Sequence, residues 1–62
     1  MTETQASVYQ FIRQSRSEAV DVMLALRLSH EDVYGALIGL EAMGKAVLQG
    51  HKDPAYRTWA GV

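Results

Sequence analysis

The apolar residues of this chain recur with helical spacing over its first two thirds. A short helix is predicted from Ala6 to Gln14. Val8, Phe11 and Ile12 lie three or four residues apart there and share one face. Residues 1–5 are polar and show no such periodicity, so we expect them to form a flexible N-terminus.

A second helix is predicted from Glu18 to Leu26. Ser17 is placed to cap it, and Glu18 puts an acidic group in its first turn, where both features favour helix initiation. Val22 and Leu26 widen the apolar stripe of this run. The inward face is predicted to consist of Ala19, Val20, Met23 and Leu24 or their neighbours.

A third helix is predicted to begin after Ser29, because this capping residue is followed by the acidic residues Glu31 and Asp32. Gly44 is predicted to end the helix, since glycine readily takes the left-handed conformation that closes helices. Lys45 then places a cation where it favours the helix terminus. The inward stripe is predicted to consist of Val33, Ala36, Leu37, Leu40 and Met43.

After the third helix the pattern changes to that of two short strands, Ala46–Gln49 and Tyr56–Trp59. The segment Gly50–Pro54 between them contains glycine, aspartate and proline, which are typical of a loop joining antiparallel strands. Residues 6–62 therefore predict an α+β domain, mainly α, with three helices followed by a two-stranded β-hairpin wing. This is a winged helix-turn-helix, in which Trp59 covers the helices. An all-helical bundle is the alternative, and it requires the C-terminal segment to be helical despite its glycine and proline.

Composition limits the class of protein. With 62 residues, no cysteine and a formal net charge of -1, the chain forms one domain without disulfides and without an overall attraction to nucleic acid. No leader peptide or membrane-spanning apolar run is apparent, so we expect a cytoplasmic protein that does not contact membranes. No cofactor or metal is predicted, because the two histidines, His30 and His51, are far apart in sequence.

Catalysis is not predicted. The sequence contains no glycine-rich phosphate loop, and Ser29 beside His30 cannot form a catalytic triad by adjacency alone. A chain of this length also has little room for a pocket that encloses a small-molecule substrate. We therefore expect a binding module and not an enzyme.

Residues 40–47 read Leu-Glu-Ala-Met-Gly-Lys-Ala-Val and close the third helix before entering the first strand. With this run at its centre, the segment from Arg16 to Val47 resembles the small winged-helix proteins of the ferrous iron transport protein C (FeoC) family. The wing of that family carries cysteines proposed to hold an iron–sulfur cluster, and this chain has none. The resemblance therefore implies a winged-helix scaffold without a cluster. Such scaffolds bind DNA and sometimes proteins.

In a domain of this plan the third helix enters the major groove of DNA and its outward side chains contact base edges. His30 and Tyr34 are the outward residues best suited to such contacts. Phosphate contacts are predicted for Arg27, His51, Lys52 and Arg57. The simpler alternative makes His30 a surface residue near the cap, Tyr34 a packing residue and the cations ordinary surface charges. The leading prediction is a DNA-binding transcription regulator of a bacterium or phage, acting as a dimer.

A second interpretation uses the same helix to dock a protein. Residues 30–43 contain no Lys or Arg but three acidic residues, which repel phosphates. Two glycines inside a helix cost about 1 kcal/mol each relative to alanine, so a closely approaching partner is expected to compensate. The predicted interface comprises Tyr34, Gly35, Ile38, Gly39 and Ala42. Its occupant is a second copy or a heterologous protein, and the protein is then an adaptor that does not bind DNA.

Overall fold

The computed structural model describes residues 1–50 and 57–62. It contains three helices, α1 (Glu3–Gln14), α2 (Ala19–Leu26) and α3 (His30–Ala42), followed by the strands β1 (Ala46–Gln49) and β2 (Thr58–Gly61). The two strands pair antiparallel. This order of elements confirms the predicted α+β fold with winged-helix topology, and the all-helical alternative is wrong.

Helix α1 begins earlier than the apolar pattern predicted. Thr2 is its N-cap, and its hydroxyl accepts a hydrogen bond from the Gln5 backbone N–H at 3.0 Å. The Gln5 side-chain carbonyl in turn accepts from the Thr2 backbone N–H at 2.8 Å. The predicted boundary at Ala6 was therefore three residues late, because this first turn is held by a polar capping box that leaves no apolar periodicity.

The start of α2 differs from the prediction. Ser17 was expected to cap the helix, but the N-cap is Glu18, whose backbone N–H donates to Asp21 Oδ2 at 3.1 Å. Ser17 is instead buried and extended in a β-bridge to Trp59, with N–H···O distances of 3.0 and 2.7 Å in the two directions. Ser17 thus adds one residue of a third strand beside β2, and the capping position moves one residue along.

The face that α2 turns to the core also differs. Val22 is fully buried, whereas Val20 is 49% and Leu24 75% exposed, so the predicted inward positions of Val20 and Leu24 were wrong. Ala19 and Met23 pack against the core as predicted. The helix has eight residues, seven of them apolar, so periodicity alone did not fix its rotation.

Helix α3 follows the prediction closely. The Ser29 hydroxyl caps it by accepting from the Asp32 backbone N–H at 3.1 Å. Gly44 has a φ of 73°, the left-handed conformation expected after the helix. The buried residues are those of the predicted stripe, Val33, Ala36, Leu37 and Leu40. Met43 was predicted to join them but is exposed, because the helix ends at Ala42.

Strand β1 has the predicted bounds, whereas strand β2 begins and ends later than predicted. The second strand begins at Thr58, two residues later than predicted, and Leu48 lies opposite Trp59 in the register. Trp59 is 3% exposed and packs into the core, as expected for a residue that covers the helices. The predicted loop from residue 51 onward and Tyr56 lie outside the described residues.

The core lies between the three helices and the inner face of the sheet. Its buried residues come from all five elements: Val8, Ile12, Val22, Val33, Ala36, Leu37, Leu40, Ala46 and Trp59. Val62 is fastened to α1, because the Tyr9 hydroxyl donates to the Val62 backbone oxygen at 2.5 Å. Within the described residues, no helix has the length and apolar character needed to cross a membrane.

Candidate functional site

A groove of about 470 Å³ opens between the N-terminal part of α2, one flank of α3 and the inner face of the sheet. We call it the α2–α3 groove. Helix α2 supplies Ala19, Val20 and Met23, the sheet supplies Leu48 and Trp59, and helix α3 supplies Tyr34 and Ile38; Glu18, His30, Glu41 and Arg57 complete the lining.

Several of the apolar side chains that line the α2–α3 groove are exposed to solvent. Ile38 is 54% exposed, and Val20 and Tyr34 are also exposed. They come from two helices yet line the same depression. Contiguous apolar surface of this kind marks binding sites on small proteins more often than scattered exposed residues do.

The charge around the groove is predominantly acidic. Glu18 and Glu41 line it from the two helices, whereas residues 30–43 contain no Lys or Arg. Arg57 also lines the groove, next to the wing, and already contacts other protein groups. A negatively charged ligand such as a phosphate backbone is therefore disfavoured along α3 itself, and an apolar ligand with a positively charged flank is favoured.

His30 and Tyr34, the two predicted base-contacting residues, lie one turn apart on α3. Their ring centroids are 4.4 Å apart with the planes tilted by 39°. Both side chains line the α2–α3 groove. The structure therefore brings this pair together at the flank of α3 that faces the sheet.

The remaining predicted DNA contacts are dispersed. Arg27 lies at the end of α2 in the left-handed conformation, with a φ of 56°, and is not among the groove residues. Arg57 does line the groove. The predicted phosphate contacts of His51 and Lys52 lie outside the described residues.

The five residues of the predicted protein interface do not lie on one common surface. Tyr34 and Ile38 line the groove, but Gly39 faces the other way, toward α1. A Cβ at Gly39 would lie 2.5 Å from Gln5 Nε2, so this glycine makes room for the Gln5 side chain of the α1 capping box. Gly35 faces open space, and Ala42 is exposed but does not line the groove.

Sequence reasoning missed the residues that α2 and the sheet add to the groove, chiefly Val20, Met23 and Leu48. The available signal was Val20, an apolar residue that is left outside the core once Val22 is placed inside it. The prediction assigned Val20 to the core instead.

Two cations outside the lining of the groove lie over the ring of Tyr9. The Arg13 guanidinium is 5.5 Å and the Lys45 ammonium 5.6 Å from the centre of the Tyr9 ring, distances suited to cation–π contact. Val62 lies beside them, because its backbone N–H donates to the Lys45 carbonyl at 3.0 Å. We call Arg13 and Lys45 the basic patch.

Among the residues that the structure describes, no three His, Cys, Asp or Glu side chains are grouped so that they could hold a metal ion. No protein-family model, curated protein or solved structure matches the chain. The order of the elements and the pairing of Ser17 with Trp59 define a winged-helix domain.

Proposed function

We propose that this protein is a small winged-helix regulatory protein that binds an apolar segment of a protein partner in the α2–α3 groove. The observation that carries the proposal is the exposure of Ile38, Val20 and Tyr34 around one depression. Apolar side chains from a partner would cover this surface and remove it from water, which is the main driving force of association.

The partner segment is expected to be apolar with Lys or Arg at its flanks. Glu18 and Glu41 lie on opposite walls of the groove and would face such flanking cations. Charge complementarity of this kind sets the orientation of the partner and accelerates its association. A segment with acidic flanks would be repelled.

Selection from a displayed library of random peptides against the immobilised protein tests this proposal. Selected sequences should combine aliphatic or aromatic residues with flanking Lys or Arg. Ile38→Lys and Val20→Lys should each weaken binding of the selected peptides at least about tenfold, because each places an ammonium group on the apolar lining and among the peptide cations. Absence of any enriched sequence would contradict the proposal.

Val47→Lys serves as the matched control for those two variants. Val47 is exposed to a similar extent, but it lies on the outer face of the sheet and does not line the groove. Its substitution should leave peptide affinity unchanged. If Val47→Lys weakened binding as much as Ile38→Lys, the contact would lie elsewhere or would be non-specific.

DNA binding is the second candidate, favoured by the winged-helix topology and by the exposed His30–Tyr34 pair in the first half of α3. In this interpretation Arg27, Lys52 and Arg57 contact phosphates, together with His51. The anisotropy of a labelled mixed-sequence duplex should then fall steeply between about 50 and 200 mM salt. Lys52→Ala combined with Arg57→Ala should reduce that slope, and an anisotropy that never rises would reject this candidate.

Three further predictions do not concern the binding site. A cytoplasmic location, a bacterial or phage source and the resemblance to the FeoC family stay predictions of the sequence. Under either candidate the protein acts by binding and not by catalysis, so loss of function in the groove variants should appear in affinity measurements.

A further inference from the structure

Helix α2 exposes two apolar side chains on the side opposite its buried residue. Leu24 is 75% exposed, the largest exposed fraction among the large apolar side chains that the structure describes, and Val20, one turn earlier, is 49% exposed. Val22 between them is fully buried in the core. Residues four apart lie on one face of a helix, so Val20 and Leu24 form a single apolar surface that faces solvent. We call these two residues the α2 stripe.

The α2 stripe extends beyond the α2–α3 groove. Val20 lines the groove, whereas Leu24 does not. A peptide segment bound in the groove would therefore leave the Leu24 side chain in water. A molecule that covers Leu24 has to approach the outer face of α2 itself.

The two ends of α2 carry opposite charges. Glu18 is the N-cap and Arg27 is the C-cap, and within the described residues neither of them forms an ion pair. Arg16 and Asp21 also lie near the first end, but their charges are of opposite sign and offset each other. The helix therefore presents a carboxylate at one end and a guanidinium at the other.

The other charged residues near these ends belong to different surfaces. Glu31 and Asp32 follow the C-cap in sequence, but they line a separate depression beside Gln5 of α1. Arg57 comes from the sheet and already contacts other protein groups. The outer face of α2 is therefore apolar in the middle, with Glu18 at one end and Arg27 at the other.

Such a face is complementary to itself when two copies of α2 lie antiparallel. Val20 of each copy then faces Leu24 of the other, and Glu18 of each lies at the level of Arg27 of the other. Both pairs form in the same register, because both are centred on the same point of the helix, beside Val22. The apolar contact supplies the driving force, and the charges at the ends select the antiparallel orientation.

We propose that this protein forms a symmetric dimer in which the outer face of α2 packs antiparallel against the same face of a second copy. The same surface is used by both copies, so the assembly closes at two and does not grow into a chain. A contact between two eight-residue helices is small, so the dimer is weak. The inference goes beyond the proposed function and does not rest on it, because Leu24 lies outside the groove.

Sedimentation equilibrium of the wild-type protein tests the association. The weight-average mass should rise above the monomer mass of 6.9 kDa as the concentration approaches about 1 mM, and it should not exceed twice that mass. A strictly monomeric protein over that range, or a mass that continues to rise past the dimer, overturns the inference.

Leu24→Lys tests whether the α2 stripe forms the contact. The variant should stay monomeric, because it places an ammonium group in the centre of the apolar contact. Its fold should persist, since Leu24 is exposed, and far-UV circular dichroism would verify this. Val47→Lys is the matched control on the outer face of the sheet and should dimerise like the wild type. Association that Leu24→Lys leaves unchanged, or that Ile38→Lys alone abolishes, would place the contact elsewhere and overturn the inference.

Single cysteines test the antiparallel register, because the chain has no cysteine of its own. Val20→Cys and Leu24→Cys would be mixed in equal amounts and oxidised slowly with glutathione. A disulfide needs Cα atoms within about 7 Å, and the proposed register brings position 20 opposite position 24 and holds identical positions farther apart. The disulfide between the two variants should exceed the share that random pairing gives, as measured by mass spectrometry. A share at or below the random value overturns the register.

The outcomes for the dimer and for the proposed function are separable. Selected peptides that bind a strictly monomeric wild-type protein would uphold the groove and reject the dimer. A dimer that Leu24→Lys dissociates, in a protein that selects no peptide, would uphold the dimer and reject the groove.

Discussion

Glycine at position 61 shows how a single missing side chain positions the sheet on the helices. A Cβ at Gly61 would lie 3.0 Å from both the Cα and the backbone N of Arg13, so α1 and β2 approach each other closely only because this side chain is absent. Backbone atoms of a helix cannot move aside as the end of a flexible side chain can.

Gly61→Ala should lower the free energy of unfolding by about 1–3 kcal/mol, the usual cost of overpacking a tight contact. The midpoint of urea denaturation measures this change. Gly35→Ala is the matched control, because a Cβ there meets nothing within 4 Å and the position is exposed inside α3. It should stabilise the protein by about 1 kcal/mol through helix propensity. Equal effects of the two substitutions would show that β2 does not pack on α1 in this way.

Gly35 and Gly39 show which contacts of a single residue the sequence could not predict. Gly35 and Gly39 share a spacing of four and were predicted to belong to one interface. The structure separates them, because Gly39 lies under the Gln5 side chain and Gly35 does not. The position of Gln5 depends on how α1 crosses α3, and no periodicity within either helix specifies that crossing.

At the scale of elements, the ends of α3 were predicted well because local chemistry sets them. The hydroxyl of Ser29 and the left-handed Gly44 act on their own neighbouring backbone groups, so their effects can be inferred without tertiary structure. Ser17 has the same residue type as Ser29 but a different role, because its backbone pairs with Trp59, more than forty residues away. Capping signals therefore succeed only where no distant strand competes for the same backbone groups.

Ser29→Ala should destabilise the protein by about 1 kcal/mol, since it leaves the Asp32 backbone N–H without its capping acceptor. Chemical denaturation with urea, followed by circular dichroism at the helical band, provides the measurement. Ser7→Ala is the control within the same residue type: Ser7 is exposed in the interior of α1, where alanine is the better helix former. A Ser29→Ala variant as stable as the wild type would mean that the cap contributes nothing to α3.

The α2–α3 groove is formed by residues from several elements, and its composition was the feature that the sequence predicted least well. Tyr34 and Ile38 were predicted as surface residues of α3, but Val20, which lines the groove from α2, was assigned to the core. The error came from the rotation of α2. Since nearly every residue of that helix is apolar, several rotations bury a similar amount of apolar surface, and only packing against α3 and Trp59 selects one of them.

At the scale of the whole molecule, the small sheet should unfold together with the helices. A two-stranded sheet is at best marginally stable alone. Here it is fastened by the buried Trp59 side chain, by the backbone pairing of Trp59 with Ser17 and by the bond from the Tyr9 hydroxyl to Val62. Detaching β2 would therefore expose the core itself, and no stable three-helix remainder is expected.

Trp59 is the only tryptophan of the chain, so its fluorescence reports the sheet, while the far-UV circular dichroism reports mainly the helices. The two signals should show the same midpoint in urea, as in a cooperative two-state transition. Tyr9→Phe, which removes the hydroxyl bond to Val62, should shift both midpoints downward by the same amount, by about 1 kcal/mol in free energy. A fluorescence transition at lower urea than the helical one would show instead that the wing detaches first, and the groove floor formed by Trp59 and Leu48 would then be lost before the domain unfolds.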